Sequence, residues 1–556
     1  MKKKFLFVFV ILALLPILAS CTYLNTLRDL ANKKKYPNKS ITVNYYVDDD
    51  IYKTETTEKR TNFKYPDNPS KDSLNFGGWT YKDSYQTLEP NDFLYDDIDS
   101  LDLYAYFSKG THFSDNLSYN GPSISKGVLP SLGSPKVLVV PVNLGGHTTN
   151  NMINNIYQAF NGTAETTGYE SVTSFYQKSS NGRLNLTFDV LDEWFKPSKN
   201  ASYYENYASS ADKYYESGAG LILHEFLNEY NDTFDFSDYD YDGDGFIDGV
   251  WMVYNVKPQY TNSTGFYWAY VTNTINDSKK YDNVLPRYYG FASYYFMFEK
   301  ELEVELGRKL ELYDMSDITY DAHTYIHETG HLLGLDDYYD TDTTKGATGG
   351  IYTAGMMDCN RGDLNSIDKL LLGWIDPYVI YANSEKNITI DAFSSTNDVI
   401  LVSKVNPDSI YGEYFLIELY NSEGLASSDH PIEVPTAYYP TKPYYTYGLR
   451  ILHIDATLTN TYEGKKYESP VKFLYNNSTT NKLFVDTVFN PNYKNIATQR
   501  NTTANKTLIN YYSLFSTTGT YKISESYKMT RTTYAYFDIK INNISNQSAG
   551  VEIIFN

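Results

Sequence analysis

The sequence predicts a multidomain α+β protein, and three observations lead there. The chain has 556 residues, more than one hydrophobic core ordinarily organises, so three folded units are expected. Residues 134–378 mix apolar strand runs with stretches of helical spacing. The flanking segments, 40–108 and 379–556, carry short apolar runs separated by turn residues, the pattern of β structure.

Residues 1–20 read as an export signal. Lys2, Lys3 and Lys4 form a charged start, and Phe5 to Ala19 is an almost purely apolar run. Leu18-Ala19-Ser20-Cys21 matches the site at which a bacterial lipoprotein is cut and its cysteine lipidated. The apolar run is too short for an ordinary membrane span. Cys21 is therefore the expected lipid anchor, and the expected location is the outer face of the cell membrane or the cell surface. The chain has only two cysteines. With Cys21 lipidated, Cys359 has no partner, and no disulfide framework is expected.

Residues 21–39 are polar and lysine-rich, which predicts a flexible tether. In 40–108, Ile41 to Tyr46 alternates as a strand, Tyr65 to Pro69 is a turn-rich break, and Phe76–Thr80 and Leu101–Phe107 add further strands. Residues 109–133 are rich in Ser and Gly and read as a linker. Lys136–Val142 is a continuous apolar run suited to a buried sheet. Asn151–Phe160, Ser171–Tyr176 and Ala211–Tyr230 have helical character, whereas Leu184–Val190 and Val250–Tyr254 read as strands. Asp363–Trp374 reads as a helix that Asp376-Pro377 closes. Beyond it, Asn387–Ile390, Val399–Val402, Tyr414–Tyr420, Gly448–Ile454 and Val551–Phe555 are strand-like, and the expected unit is a β-sandwich.

His327-Glu328-Thr329-Gly330-His331 is an HExxH segment. Residues four apart share a helix face, so His327 and His331 can present both imidazoles to one zinc ion. Glu328 then lies beside the metal, placed to take a proton from zinc-activated water, a chemistry that cleaves peptide bonds. Ile326, Leu332, Leu333 and Leu335 surround the motif, and Gly334 is placed to end the helix. Asp337 follows His331 by six residues and is the preferred third ligand, with Asp340 the alternative. Two imidazoles and one carboxylate leave a zinc position open for water. Three of the eight histidines fall between 323 and 331, and His323 reads as a helix-surface residue. Met357, or else Met356, follows a glycine-rich stretch and suits a tight turn beneath the metal. His224-Glu225 has no second histidine at the required spacing and is not read as a zinc site.

A second metal signal lies upstream. Asp240, Asp242, Asp244 and Asp248 alternate around Gly243 and Gly245. Carboxylates so spaced converge on a hard cation, with the Phe246 carbonyl completing a calcium loop. Trp251 stands where a helix–loop–helix calcium site carries its last carboxylate, so a structural calcium loop is expected.

The balance of 47 basic and 68 acidic residues gives a net charge of −21, which excludes a nucleic-acid partner.

These blocks, in this order, resemble the M6 peptidases of the immune inhibitor A type. The resemblance covers roughly residues 134–460. It rests on Val137–Val140, Ser171 to Tyr176, the calcium block 240–248, His327 to Asp340 with Met357, Tyr414–Leu419, and Gly448 to Asp455. It implies a metzincin-like zinc endopeptidase domain acting on protein substrates, with zinc on His327, His331 and an acidic residue, Glu328 as acid/base, Met357 in the turn below, and bound calcium. Family members commonly carry Pro-Asp-Glu-Tyr where this chain has Asp336-Asp337-Tyr338-Tyr339, so the third ligand stays open between Asp337 and Asp340. Residues 40–108 are similar to the Listeria–Bacteroides repeat, a small β-grasp module, through Pro66, Phe76–Trp79 and Leu103–Ala105. That likeness implies a spacer or adhesive module. The rival function is an adhesin on a peptidase-like scaffold. Such scaffolds ordinarily lose Glu328 or a histidine, and all three residues are present. A carbohydrate-active reading finds no identifiable carboxylate pair.

Overall fold

The computed structural model describes residues 40–58, 65–71, 75–80, 99–108, 127–207, 217–259, 265–273, 279–298, 319–338, 355–358, 362–384, 386–407, 409–428, 447–459, 461–462, 465–466, 472–473, 484–488, 490, 514–529 and 534–556. The signal segment, Cys21, the tether, Asp340 and Cys359 lie outside these residues. No helix among the described residues is long and apolar enough to cross a membrane. The protein is a multidomain α+β chain, and it divides into two compact units, one running to Phe107 and the other from Ser108 onward.

The first unit is a four-stranded sheet of order β2-β1-β4-β3, formed by β1 (Ser40–Val47), β2 (Asp50–Glu58), β3 (Asn75–Thr80) and β4 (Ser100–Ser108). Strand β1 pairs antiparallel with β2 and parallel with β4. Its alternation buries Ile41, Val43 and Tyr45 completely. They pack with Trp79, Leu101 and Leu103, and the Tyr45 and Trp79 rings meet edge to face at 4.7 Å.

The second unit is built on three sheets of four or five strands, with two small two-stranded sheets besides among the described residues. The first has order β6-β5-β7-β9-β8, from β5 (Lys136–Val142), β6 (Thr187–Val190), β7 (Val250–Tyr254), β8 (Tyr270–Asn273) and β9 (Tyr288–Ser293). All its neighbours are parallel except β8, which lies antiparallel on β9 at the edge. Its centre is apolar on both faces, as a covered sheet requires. Leu138, Val140, Met252 and Tyr254 face helix α3 (Gly218–Tyr230). Val137, Val139, Trp251 and Val253 face α1 (Asn150–Asn161), α2 (Val172–Ser179) and α4 (His323–Leu332). The helix expected from Ala211 is described from Gly218, where Ser217 caps it by accepting the Gly220 N–H.

The second sheet has order β10-β12-β13-β14-β15, from β10 (Tyr378–Ile380), β12 (Val399–Val402), β13 (Glu413–Tyr420), β14 (Gly448–Asp455) and β15 (Val485–Thr487). The third has order β11-β18-β17-β16, from β11 (Asn387–Asp391), β16 (Gly519–Tyr521), β17 (Phe537–Ile544) and β18 (Ser548–Phe555). These two sheets share a core of Ile400, Phe415, Ile417, Ile451, Phe537, Ile539 and Val551. The opposite face of the second sheet, including Leu401, Leu416, Leu452 and Ile454, joins the same core as helix α4.

Two expectations change here. A unit boundary was expected after residue 378. Asp376 and Pro377 do follow the helix α5 (Ser366–Leu371), but β10 enters a sheet whose inner face completes the preceding core, so one compact unit continues across the junction. A linker was expected over 109–133. Its last residues, 127–133, are instead held by backbone and side-chain hydrogen bonds. Gly127 N–H donates to Asp244, Leu129 N–H to the Leu332 carbonyl, and Trp374 Nε1–H to the Ser131 carbonyl. Polar composition does not exclude order where backbone groups find partners.

Candidate metal centre

Helix α4 carries the HExxH segment, and its placement is set from three sides. Trp251 on β7 donates its indole N–H to Thr329 Oγ1 at 3.2 Å. The Tyr325 hydroxyl donates to the Ser293 carbonyl at the end of β9, at 2.7 Å. The Tyr176 hydroxyl on α2 donates to the Ile326 carbonyl at 2.7 Å. At the helix start, buried Asp321 accepts the His323 N–H at 3.1 Å and satisfies a donor that the first turn leaves open. At its end, Gly334 adopts φ of 93° and donates its N–H to the His331 carbonyl. This left-handed residue turns the chain back toward the helix.

His327 and His331 stand one turn apart, with ring centroids 5.0 Å apart. Each Nδ1 lies on a backbone carbonyl, His327 on Met356 at 2.9 Å and His331 on Leu335 at 2.7 Å. A carbonyl only accepts, so each Nδ1 carries the proton and each Nε2 is the metal-facing nitrogen. Both Nε2 atoms meet Asp337 Oδ1, at 3.0 and 3.1 Å. Ligands about 2.1 Å from a tetrahedral zinc stand roughly 3.4 Å from one another. The cluster therefore needs to open by only a few tenths of an ångström, and its two imidazoles and one carboxylate fit zinc. The chain thus brings together His327, His331 and Asp337, while Asp336 is exposed.

The expected turn methionines are both fully buried. Besides the Met356 carbonyl on His327, the Met357 carbonyl accepts the Tyr338 N–H at 2.9 Å. The Met357 sulfur fills the space beside Gly330 where a β-carbon would otherwise sit, so glycine between the two histidines permits this close approach. Met357 is thus the methionine packed against the helix beneath the cluster, and Met356 contributes its carbonyl.

Glu328 is buried. Its carboxylate accepts the Val271 N–H from edge strand β8, while Oε2 has no hydrogen-bond partner among the described residues. Burial raises the Glu328 pKa, and the neighbouring histidines temper the rise. A raised pKa makes the carboxylate a stronger proton acceptor. Burial works to lower the His331 pKa, but the hydrogen bond and charge of Asp337 outweigh it and push it up to about 9. Burial works to raise the Asp337 pKa, yet hydrogen bonds from His327 and His331 hold it well below the ordinary carboxylate range.

A pH dependence follows. His331 holds its proton more tightly in the folded, metal-free protein than in the unfolded chain. Its contribution to metal-free stability is present below its ordinary pKa of 6.5 and is lost as pH rises through about 9. Zinc must displace that proton. Between roughly pH 6 and 8 the apparent zinc dissociation constant should fall about tenfold per pH unit, read by chelator competition; a flat profile would contradict the ion-pair geometry.

The second cluster lies in the loop before β7. Ligand oxygens of Asp240, Asp242 and Asp244 lie within 4.8 Å of one another. Asp244 accepts the N–H groups of Phe246 and Gly127 at 2.9 and 2.7 Å, and Asp240 accepts Gly245 N–H at 3.2 Å. Asp248 is completely buried. One of its oxygens accepts the Tyr241 N–H at 2.8 Å, while Oδ1, like Asp240 Oδ1, has no partner among the described residues. Burial, followed by mutual repulsion, raises the pKa of Asp240, Asp242 and Asp248. Orphaned buried carboxylate oxygens beside a carboxylate triad fit a hard divalent cation such as calcium. Phe246, expected to offer its carbonyl, forms an isolated parallel bridge with Leu285 in which Gly245 and Ile247 make the hydrogen bonds.

Metal-free stability here is greatest at acid pH and falls as pH rises through the raised pKa values, because the folded carboxyls hold their protons more tightly. Calcium at about 100 times its dissociation constant should add about 2.7 kcal/mol to the parent. Asp248→Asn removes a buried charge, so its metal-free form should melt no lower than the metal-free parent, with a smaller gain from calcium. Calorimetry with and without calcium checks both outcomes.

Of the remaining histidines that the sequence raised, His323 is half-buried at the start of α4 and the other two are fully buried. His224 is buried on α3, with Nδ1 on the Tyr281 hydroxyl at 2.9 Å. His453 is buried on β14, between Glu413 and the Tyr527 hydroxyl. No family model matches this sequence, and no curated protein matches it.

Proposed function

We propose that this chain is a zinc-dependent endopeptidase similar to the M6 peptidases of the immune inhibitor A type, exported as a bacterial lipoprotein and held at the cell surface by a lipid on Cys21. The observation that carries this reading is the convergence of His327 Nε2, His331 Nε2 and Asp337 Oδ1 beside a buried glutamate with an unpartnered oxygen. On this reading the five-stranded sheet 136–293 with its helices is a metzincin-like core, residues 379–556 form a β-sandwich packed on it, and the first unit is a β-grasp spacer. Calcium in the 240–248 loop braces the segment leading into β7.

Zinc held by His327, His331 and Asp337 supplies a Lewis acid that lowers the pKa of water and polarises a carbonyl. Glu328 takes the proton from the attacking water and returns it to the leaving amine. Carbonyl partners on both Nδ1 atoms keep the imidazoles turned toward the ligand side. Strand β8 supports a peptide substrate: it is the outer strand of its sheet, and its Val271 N–H turns toward Glu328. An extended chain laid along such an edge is held by backbone hydrogen bonds, which suits cleavage within a polypeptide.

The test is casein cleavage by the soluble chain from residue 22, before and after treatment with a zinc chelator. Cleavage lost on chelation and restored by zinc supports the reading. Cleavage that persists without metal overturns it, and a folded chain that neither binds zinc nor cuts overturns it and favours the adhesin alternative.

A further inference from the structure

The third ligand candidate hangs in a short span pinned at both ends. At one end, Leu335 donates its N–H to the Gly330 carbonyl at 3.0 Å and accepts His331 Nδ1. At the other, Tyr338 is fully buried and donates its N–H to the Met357 carbonyl. Its hydroxyl donates to Asp368 Oδ1 at 2.6 Å, and its ring lies near Phe484 at 6.1 Å with 30° between the planes. Asp368 is itself completely buried in the first turn of α5, where its other oxygen accepts the Asn365 N–H at 3.2 Å. Phe484 precedes β15, and its carbonyl accepts the Asp455 N–H at the end of β14.

We propose that Tyr338 is the positioning residue for Asp337, and that its hydroxyl bond to Asp368 and its packing on Phe484 make α5 and the second sheet part of the zinc site's support. This rests on the zinc reading above. Here the hydroxyl is aimed at one carboxylate oxygen, so the chain immediately after Asp337 is held through the backbone and the side chain together. The carboxylate of Asp337 can then meet both imidazoles before any metal arrives. This also gives residues 379–556 a role at the zinc site without requiring that they bind a ligand.

The experiment measures zinc affinity by chelator competition, and the visible spectrum of the cobalt-substituted protein, for the mature chain and two variants. Tyr338→Phe removes the hydroxyl and should weaken zinc about 10–100-fold, with an altered cobalt spectrum, since loss of a supporting partner typically costs that much affinity. Asp368→Asn carries no buried charge, which protects folding. Asn keeps an oxygen at only one of the two positions that meet Tyr338 and the Asn365 N–H, so zinc should weaken in the same direction by a smaller factor. Tyr204→Phe is the matched control: its hydroxyl likewise donates to an acid, Glu225 on α3, at 2.8 Å in the core on the opposite face of the first sheet. It should lower thermal stability and leave zinc affinity unchanged. Zinc affinity at the parental value in folded Tyr338→Phe, or in Asp368→Asn should the first variant not fold, overturns the proposal. A parent that binds no zinc overturns the zinc reading itself.

Discussion

Glu328→Gln should lower peptide hydrolysis by about 10²–10⁴-fold while zinc stays bound, the range that a positioned general base contributes. The separation of these effects follows from geometry. Glu328 is not one of the three converging ligands, and its carboxylate is anchored on the Val271 N–H from β8. Gln matches Glu in shape, and its carbonyl oxygen can keep that bond. What it lacks is an oxygen able to take a proton, the role assigned to Oε2, which is buried without a partner. Burial raises the glutamate pKa, which strengthens the parent residue as a proton acceptor. The check is a casein hydrolysis rate and a zinc measurement on the same preparation. Undiminished hydrolysis in a zinc-loaded Gln variant would remove Glu328 from the chemistry.

Asp337→Ala should cost the metal. Both imidazoles keep their Nδ1 carbonyl partners in this variant, so their orientation survives. The cluster loses its negative charge and one of three protein ligands. Zinc affinity should fall more than about 100-fold, beyond what losing an outer partner alone costs. A second signature accompanies it. Without Asp337, burial is opposed only by the Glu328 charge and the Leu335 carbonyl, so the His331 pKa drops and the pH dependence of zinc uptake flattens. Asp340→Ala is the comparison that the sequence demands, since spacing left both aspartates open. Parental affinity in Asp337→Ala together with lost affinity in Asp340→Ala would transfer the ligand role.

Spacing made the centre of this site legible, because it is local. The histidines stand four positions apart on one helix, and a left-handed Gly334 returns the chain to bring Asp337 back over them. The groups that hold this geometry come from far along the chain and carry no local mark. Tyr176 reaches the Ile326 carbonyl across 150 positions, and Trp251 reaches Thr329 across 78. Ser171 to Tyr176 was read as helical, but a tyrosine in a helix gives no hint that its hydroxyl secures another helix. Strand β8 escaped because its four residues are all half-buried and show no alternation. The break near residue 378 was visible in Asp376 and Pro377. That the next strand closes the preceding core was not, since Val379 and Ile380 face different cores and look like any short apolar run. The carboxylate cluster of the 240–248 loop was legible as a spacing of acids. Its link through Gly127 to a segment resembling a linker was not, because that bond is made by a backbone N–H and leaves no trace in residue type.

The most direct measurement is the zinc content of the folded mature chain, prepared with trace zinc and compared with a His327→Ala, His331→Ala double variant. About one zinc per parent chain and none in the folded variant is the predicted result, since the site provides three ligands for a single ion. A folded parent without zinc, or equal zinc in both proteins, would contradict the central claim.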